Sequence, residues 1–200
     1  MISDTPLMEQ VNKLILDLAV RKLRWHIDDY IHNLSSRSKI WAATHCGELA
    51  GVVHMVLGDP ATRPIRNPYN PLKEGDGWRN LVLSTATSVE ISYVLVLPKY
   101  ESKGISHALL AQCIWYCLRE QVSIIELTLT HKLFEFYEYH GMVANLVLDE
   151  RLGGGSKKYI GLEEEFFPAF FVVSDMIQGI QSKRPDLWKV IESYKNYLAQ

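Results

Sequence analysis

The sequence predicts an α/β fold in which a mixed central sheet is flanked by helices and a C-terminal helix is appended. The first observation is an alternation of strand-like and helix-like stretches between residues 89 and 148, which requires at least one parallel strand pair. The second is size, because 200 residues with 48% hydrophobic and 22% charged residues suit one packed domain spanning residues 1–200. The same composition excludes a disordered chain.

The charge balance and the apolar runs exclude several other classes of protein. Lys and Arg total 21 against 23 Asp and Glu, a formal net charge of −2, so we expect no broad nucleic-acid or anionic-membrane surface. The longest apolar run, Phe166–Val173, is too short to span a bilayer, which needs about 20 residues. The N-terminus lacks the pattern of a signal peptide, and three cysteines without CxxC spacing are typical of reduced thiols. We therefore expect a cytoplasmic protein without a membrane span.

The first predicted element is helical. Thr5 followed by Pro6 is typical of a helix start, and no further Gly or Pro occurs up to Leu34. The apolar residues of this segment form two stripes, which predicts two helices or one bent helix. The stripes are Leu7, Val11, Leu14 and Leu18, then Ile27, Tyr30, Ile31 and Leu34.

A hairpin and a long loop follow. Two β-rich runs, Lys39–Cys46 and Glu48–Leu57, are joined by a tight turn at Cys46-Gly47. Residues 58–80 contain four of the eight prolines, which predicts an irregular loop. Loops of that length in compact domains are usually functional or mobile, and we expect this one to lie near a substrate.

The most strongly patterned part of the chain contains five elements. The predicted order is strand, helix, strand, short helix and strand, over Val89–Leu97, Gly104–Glu120, Ser123–Thr130, Lys132–His140 and Met142–Leu148. Pro98 ends the first of these strands, and Gly141 is a natural C′ residue for the short helix. Beyond them we expect a turn at Gly153–Gly155, a strand over Phe166–Val173 and a helix over about 185–199. The apolar stripe of that last helix is Leu187, Val190, Ile191, Tyr194 and Leu198.

One strand-to-helix connection has the geometry of an anion site. A strand, a short polar loop and a helix start follow one another directly, so the free N–H groups of the first turn, around Lys103–Ser106, point at whatever lies in front of the helix. Gly104 removes a side chain where a pyrophosphate would approach, and Lys103 adds a positive charge. An ordinary strand-to-helix turn is the alternative on this motif alone.

The same region resembles the GNAT superfamily of N-acyltransferases, which use acyl-coenzyme A. Val96-Leu97-Pro98 fits the V-x-P strand ending common in that family, and Glu101–Ser106 occupies the frame of its pyrophosphate motif, Q/R-x-x-G-x-G/A. Leu133–Met142 resembles its A-x-x-x-Y-x-x-x-G-F helix, with Tyr137 and Gly141 in register. The resemblance covers roughly residues 40–150. The pyrophosphate motif is degenerate, because Glu101 replaces Q/R and Ser106 replaces G/A.

The resemblance implies roles for individual residues. Glu90 would be the general base that deprotonates an amine, and Tyr137 would donate a proton to the coenzyme A thiolate or hydrogen-bond its sulfur. Two alternatives stay open, namely that Glu90 reaches solvent or an arginine from a strand end and that Tyr137 only packs on the sheet. The implied coenzyme A contacts are backbone groups of Val94, Leu95 and Val96 for the pantetheine arm, and Lys103, Gly104, Ile105 and Ser106 for the pyrophosphate.

Histidines and cysteines predict no metal site. The histidines are not spaced as metal ligands are, and we interpret most of them as surface or strand-end residues. They are His45, His54, His107, His131 and His140. Cys113 and Cys117 lie four residues apart on a predicted helix and read as small core side chains.

The resemblance implies that the chain is an N-acyltransferase, most simply one that transfers acetyl from acetyl-coenzyme A to an amine by direct attack. The acceptor would be a small-molecule or peptide amine, no metal would be needed, and the chain could form a homodimer. One alternative is transfer of a longer acyl chain from another acyl-coenzyme A, as in autoinducer or N-acyl amino acid synthases. Another is a non-catalytic binding or structural module with the same fold, which Glu101 favours.

Overall fold

The fold is organised around one mixed β-sheet. The computed structural model describes residues 5–15, 38–57, 87–148, 155, 157–158 and 165–197. The strands within these ranges are β1 (Ser38–His45), β2 (Glu48–Leu57), β3 (Ser88–Val96), β4 (Ile124–Leu129), β5 (Asn145–Leu146), β6 (Lys157–Lys158) and β7 (Glu165–Val172). Their order is β1-β2-β3-β4-β7-β5, with β6 pairing to β7. The β3–β4 pair is parallel and the other pairs are antiparallel, so the predicted α/β fold with a mixed sheet is confirmed.

Helices cover both faces of the sheet. They are α1 (Thr5–Ile15), α2 (Ile105–Arg119), α3 (His131–Tyr139), α4 (Val173–Lys183) and α5 (Pro185–Tyr197), with a short 3-10 turn at Pro98–Tyr100. Among the described residues, no helix is long and apolar enough to cross a membrane. Because side chains alternate along a strand, each central strand contributes to two apolar layers, one under α1 and one under α2.

The two layers define two faces of the sheet. On the α1 face, Val11 and Leu14 pack with Val52, Val56 and Leu95. On the α2 face, helix residues pack against the other side of the same strands, in a cluster that includes Leu109, Cys113, Met55, Ile125, Leu127 and Phe171. Coverage on both sides explains why β2 is buried at nearly every position rather than at alternate ones.

The C-terminal half of the fold differs from the prediction in three places. The strand expected over Met142–Leu148 is reduced to Asn145–Leu146. Helix α4, Val173–Lys183, was not predicted. Met176 and Ile180 recur at helical spacing, but Gly179 in the middle of the segment is a poor helix former and argued against a helix. Helix α5 begins at Pro185 as expected, but Val190 is 42% exposed instead of buried.

The C-terminal helix is part of the core rather than a simple appendage. Leu187 and Ile191 are buried in the α2-face cluster, and the Tyr194 hydroxyl donates to the Ala108 carbonyl of α2 at 3.4 Å. The predicted stripe at Ile27–Leu34, the loop at 58–80 and the first two glycines of the Gly153–Gly155 turn lie outside the described residues.

Candidate active site

A cleft opens where β3 and β4 separate. The two strands are paired at Ser88–Ile124, Val89–Ile125 and Glu90–Glu126, and no further pairing between them occurs in the described residues. Beyond that point β3 continues to Val96 against β2, and β4 continues to Leu129 against β7. The carboxyl ends of two parallel strands therefore diverge, which is where ligands bind in open α/β sheets.

A β-bulge bends β3 away from β4. His54 of β2 pairs with Tyr93, but the next residue, Met55, pairs with Ile91, so Ser92 is an extra residue in β3. A bulge increases the local twist and turns the strand, and it commonly lies beside a functional site. The sequence contains no glycine here that would have indicated the bulge.

The upper part of β3 offers backbone groups to the cleft. Val94, Leu95 and Val96 pair with Val53, Val52 and Gly51 on one side. On the β4 side, these three residues have no partner strand among the described residues. An extended ligand can pair with such an edge as a strand would, so the geometry is compatible with the predicted pantetheine contacts.

The loop after β3 leads into a helix start with unusual backbone angles. Gly104 is the N-cap of α2 with φ +78°, and Ser102 also has a positive φ of +60°. Backbone N–H groups in such conformations are able to form a concavity suited to an anion, and the N–H groups of Ile105 and Ser106 lie in the first turn of the helix, where they have no intrahelical partner. A Cβ at Gly104 would meet no atom within 4 Å, so it would project into the open space in front of the helix.

Tyr100 anchors this loop between two lysines. Its ring lies 4.9 Å from Lys99 Nζ and 5.3 Å from Lys103 Nζ, and its hydroxyl donates to Glu48 Oε2 at 3.0 Å. Lys99 also forms an ion pair with Glu48. Lys103 is thereby held beside the helix start, while Glu101 is exposed. Sequence reasoning missed Glu48 and Tyr100, because their contact joins a hairpin turn to a distant loop.

Helix α3 is placed by caps at both ends. The Thr130 hydroxyl accepts from the Leu133 N–H at 3.2 Å, so Thr130 is the N-cap of this helix. At the other end Gly141 has φ +81°, and its N–H and that of Met142 donate to Glu138 and Tyr137 carbonyls at 3.0 and 2.9 Å. The C′ role of Gly141 was predicted from the sequence, whereas the cap at Thr130 was not. Together the two caps set the position of Tyr137.

Tyr137 faces the α2 side of the sheet. Its ring lies 5.2 Å from the Phe171 ring and 5.5 Å from the Phe136 ring, and the side chain is buried. Burial raises the pKa of Tyr137 above its ordinary value, with a smaller contribution from Cys113. The hydroxyl is therefore protonated at neutral pH and better suited to donating a hydrogen bond to a thiolate than to releasing its proton.

Glu90 lies on the opposite face of the sheet. It is only 4% exposed and pairs with Val56, a member of the α1-face cluster. The alternative of a strand-end glutamate that reaches solvent is therefore wrong. The structure places Glu90 and Tyr137 on opposite sides of the strands that form the cleft, where each could face one side of a bound thioester.

Two of the five histidines considered in the sequence analysis are buried, so the prediction of surface or strand-end positions does not hold for them. His54 is 1% exposed and stacks on Tyr93 of the α1 face with ring centroids 5.0 Å apart. Burial lowers the pKa of His54 to about 4. His140 is also buried, at the C-cap of α3, where it contacts His107 of α2.

Acidification is expected to destabilise the fold through His54. Its folded-state pKa of about 4 lies below the unfolded value of 6.5. The unfolded chain then binds more protons, so stability is full above about pH 6.5 and falls toward about pH 4, by at most about 3 kcal/mol. Urea unfolding across this range should show a flatter pH dependence for His54→Phe, whereas the exposed control His45→Phe should keep the original one. An unaltered profile in His54→Phe would contradict this account.

His107 and His140 connect α2 to α3. Their Nε2 atoms lie 2.7 Å apart, and His140 Nδ1 donates to the Phe136 carbonyl at 2.7 Å. A neutral imidazole carries one hydrogen, and in His140 the bond to Phe136 places it on Nδ1. The Nε2 of His140 therefore accepts the hydrogen bond that the His107 Nε2–H donates. Burial, with the nearby His140 as a smaller cause, lowers the pKa of His107. The pair adds a polar contact to the capping that positions α3.

Two of the three described thiols lie in the core. Cys113 and Cys117 are buried as predicted, and burial raises the pKa of Cys117 to about 12 and that of Cys113 well above its ordinary value. Both thiols stay protonated and are poor nucleophiles. In the part of the chain that the structure describes, no group of three or more His, Cys, Asp or Glu side chains could hold a metal ion.

Comparison with known proteins identifies the family. The chain matches the sequence model of the acetyltransferase (GNAT) family over residues 15–142, whereas no curated protein sequence matches it. Its fold is similar to that of an N-acyl amino acid synthase from uncultured soil microbes, with TM-score 0.64, 12% identity, and 88% of this chain and 96% of that chain covered.

Two further solved structures share the fold. A coenzyme A-dependent acyl-homoserine lactone synthase, solved with SAM and isopentyl-CoA, has TM-score 0.60 and 14% identity, with 92% of this chain and 83% of that chain covered. A GNAT-family acetyltransferase from Staphylococcus aureus Mu50 has TM-score 0.52 and 16% identity, with 86% and 97% covered. Because the family match spans most of the sequence and the fold agrees with it, the chain belongs to the GNAT acetyltransferase family and is an N-acyltransferase.

Proposed function

We propose that this enzyme transfers an acetyl group from acetyl-coenzyme A to the amine of a small molecule or peptide. The observation that carries the proposal is the cleft between β3 and β4, with a Gly104 helix start at its outer end and Tyr137 and Glu90 on its two sides. The family uses an acyl-coenzyme A as co-substrate. The buried, unpaired thiols of Cys113 and Cys117 support a reducing cytoplasmic location.

The residues of the outer cleft fit a coenzyme A thioester. Backbone N–H groups of Gly104, Ile105 and Ser106 would hold the pyrophosphate, with Lys103 beside them, because the helix start presents donors without intrahelical partners. The free edge of β3 at Val94–Val96 would pair with the pantetheine arm. The thioester would then lie near the point where the strands separate.

Direct attack needs one proton acceptor and one hydrogen-bond donor. An amine is protonated near neutral pH, so Glu90, directly or through water, would take its proton before nitrogen attacks the thioester carbonyl. Attack gives a tetrahedral adduct; as it collapses, the carbon–sulfur bond breaks with its electron pair going to sulfur, and the nitrogen releases its second proton to water or to the departing thiolate. The Tyr137 hydroxyl would stabilise that thiolate by donating a hydrogen bond. Positioning of the two reactants in the cleft would supply the rest of the acceleration.

Acetyl is proposed as the transferred group because the matching family model is that of acetyltransferases. Transfer of a longer chain stays the competing activity. The two synthases of similar fold have 12% and 14% identity to this chain, so their names do not decide chain length.

Coenzyme A binding is expected to fall at least about tenfold in Gly104→Ala, because its methyl group would occupy the space in front of the helix where a pyrophosphate approaches. Calorimetry with acetyl-, longer acyl- and free coenzyme A would measure the affinities. Gly47→Ala is a matched control, since Gly47 has φ +80° and also no atom within 4 Å of a Cβ.

Each outcome of this experiment decides one question. The two variants carry the same backbone strain, so an equal loss of affinity in both would assign the effect to strain rather than to the site. If the wild-type protein binds no coenzyme A species, the proposed function is wrong. If the protein binds a longer acyl-coenzyme A more tightly than acetyl-coenzyme A, the proposed acyl donor becomes that longer acyl-coenzyme A.

A further inference from the structure

Two buried carboxylates lie side by side at the inner end of the cleft. Glu90 of β3 and Glu126 of β4 are register partners, the last pair before the strands separate. They are 4% and 1% exposed. Register partners in a parallel pair point to the same face, and neighbouring strands lie about 4.8 Å apart. Both carboxyl groups therefore lie on the α1 face, close enough to interact strongly.

Among the described residues, the other elements around this pair carry few charges toward it. β2 contributes His54, whose lowered pKa keeps it neutral at pH 7, and β3 contributes the hydroxyl of Tyr93. β7 places Phe170 opposite Glu126. α1 turns Val11 and Leu14 toward the sheet, while its Glu9 and Lys13 are exposed. Glu126 is thus the acidic side chain in register with Glu90 within the described residues.

A neighbouring buried carboxylate changes the proton affinity of Glu90 whatever else contacts it. Ionising a second carboxyl group beside the first is unfavourable, so the charge of Glu126 makes Glu90 hold a proton more strongly than it would alone. Two carboxyl groups this close titrate as a coupled pair. A base with higher proton affinity removes a proton from an amine more readily.

We propose that Glu126 is a positioning residue for the reaction, which acts through its charge on Glu90 and makes Glu90 a stronger base. This inference rests on the proposed function, in which Glu90 takes the proton of the acceptor amine. Glu126 itself forms no bond to the substrate. It changes the pH at which Glu90 becomes competent and the readiness with which Glu90 accepts the proton.

The pH dependence of kcat/KM for the wild type and Glu126→Gln tests the proposal. Gln keeps the shape of the side chain and removes its charge, so we expect the acidic limb of the profile to move to lower pH by about one pH unit. The plateau should fall by less than about tenfold, because a weaker base remains. Glu192→Gln removes an exposed charge on α5 and should leave the profile unchanged. An acidic limb that stays in place in Glu126→Gln overturns the proposal.

A second measurement does not depend on activity. The side-chain carboxyl carbon of Glu90, followed by NMR across the same pH range, should titrate at lower pH in Glu126→Gln than in the wild type. If no amine is acylated but this titration moves, the proposed function fails and the effect of Glu126 on Glu90 stands. If the enzyme is active and the titration of Glu90 does not move, the inference about Glu126 is wrong.

Discussion

Glu90→Gln and Tyr137→Phe are each expected to lower kcat while stability and coenzyme A affinity change little. For Glu90→Gln the loss should be about 10²- to 10⁴-fold, since the amide keeps the shape of the side chain but cannot accept the proton. Glu90 is 4% exposed, which limits the access of bulk water that could replace it. Steady-state kinetics with an accepted amine would measure the loss, and thermal unfolding would verify that the fold is intact.

Tyr137→Phe should have a smaller effect of the same kind. The ring contacts with Phe136 and Phe171 remain, so the substitution removes only the hydroxyl. A hydrogen bond to a charged group contributes about 1.5–3 kcal/mol, which corresponds to roughly a 10- to 150-fold loss in kcat. For Glu90→Gln, the matched control is Glu192→Gln, which makes the same chemical change at an exposed position of α5, outside the cleft. Normal turnover in both Glu90→Gln and Tyr137→Phe would rule out this mechanism, even if coenzyme A binding were established.

Gly179→Ala is expected to destabilise the fold by about 1–3 kcal/mol, as overpacking against rigid backbone does. A Cβ at Gly179 would lie 1.9 Å from the carbonyl oxygen of Gly141, and a Cβ at Gly141 would lie 2.3 Å from the carbonyl oxygen of Gly179. These are backbone atoms that cannot rotate away, so α4 and the end of α3 would have to move apart. Urea unfolding of the variant would measure the change.

Whether Gly179→Ala gains or loses stability distinguishes the effect of the backbone contact with Gly141 from the effect of helix propensity. Alanine in a helix interior normally stabilises by about 0.5–1 kcal/mol relative to glycine, so a loss of stability must come from the contact. Ser182→Ala, at an exposed position of the same helix, should change stability little. Because Gly141 ends the helix that carries Tyr137, Gly179→Ala should also lower turnover. Wild-type stability in Gly179→Ala would show that α3 and α4 do not approach this closely.

The sequence by itself determined the local parts of the proposed site. The strand-loop-helix unit at Gly104 and the capped helix that carries Tyr137 both follow from short-range signals. A glycine is favoured where φ is positive, and apolar residues recur at helical or strand spacing. Such signals act within a few residues of the chain, so they can be read without knowing what packs around them.

Only the tertiary structure decided how these parts meet. The separation of β3 from β4, the bulge at Ser92 and the pairing of Glu90 with Glu126 depend on the register between strands far apart in the sequence. The contact of Gly141 with Gly179 and the burial of His54 depend on which elements cover each face of the sheet. Register and burial are set by the packing of the whole core, and a one-residue slip would turn every side chain of a strand to the opposite face. For that reason the sequence could indicate Glu90, whereas its neighbour Glu126 emerged only from the folded sheet.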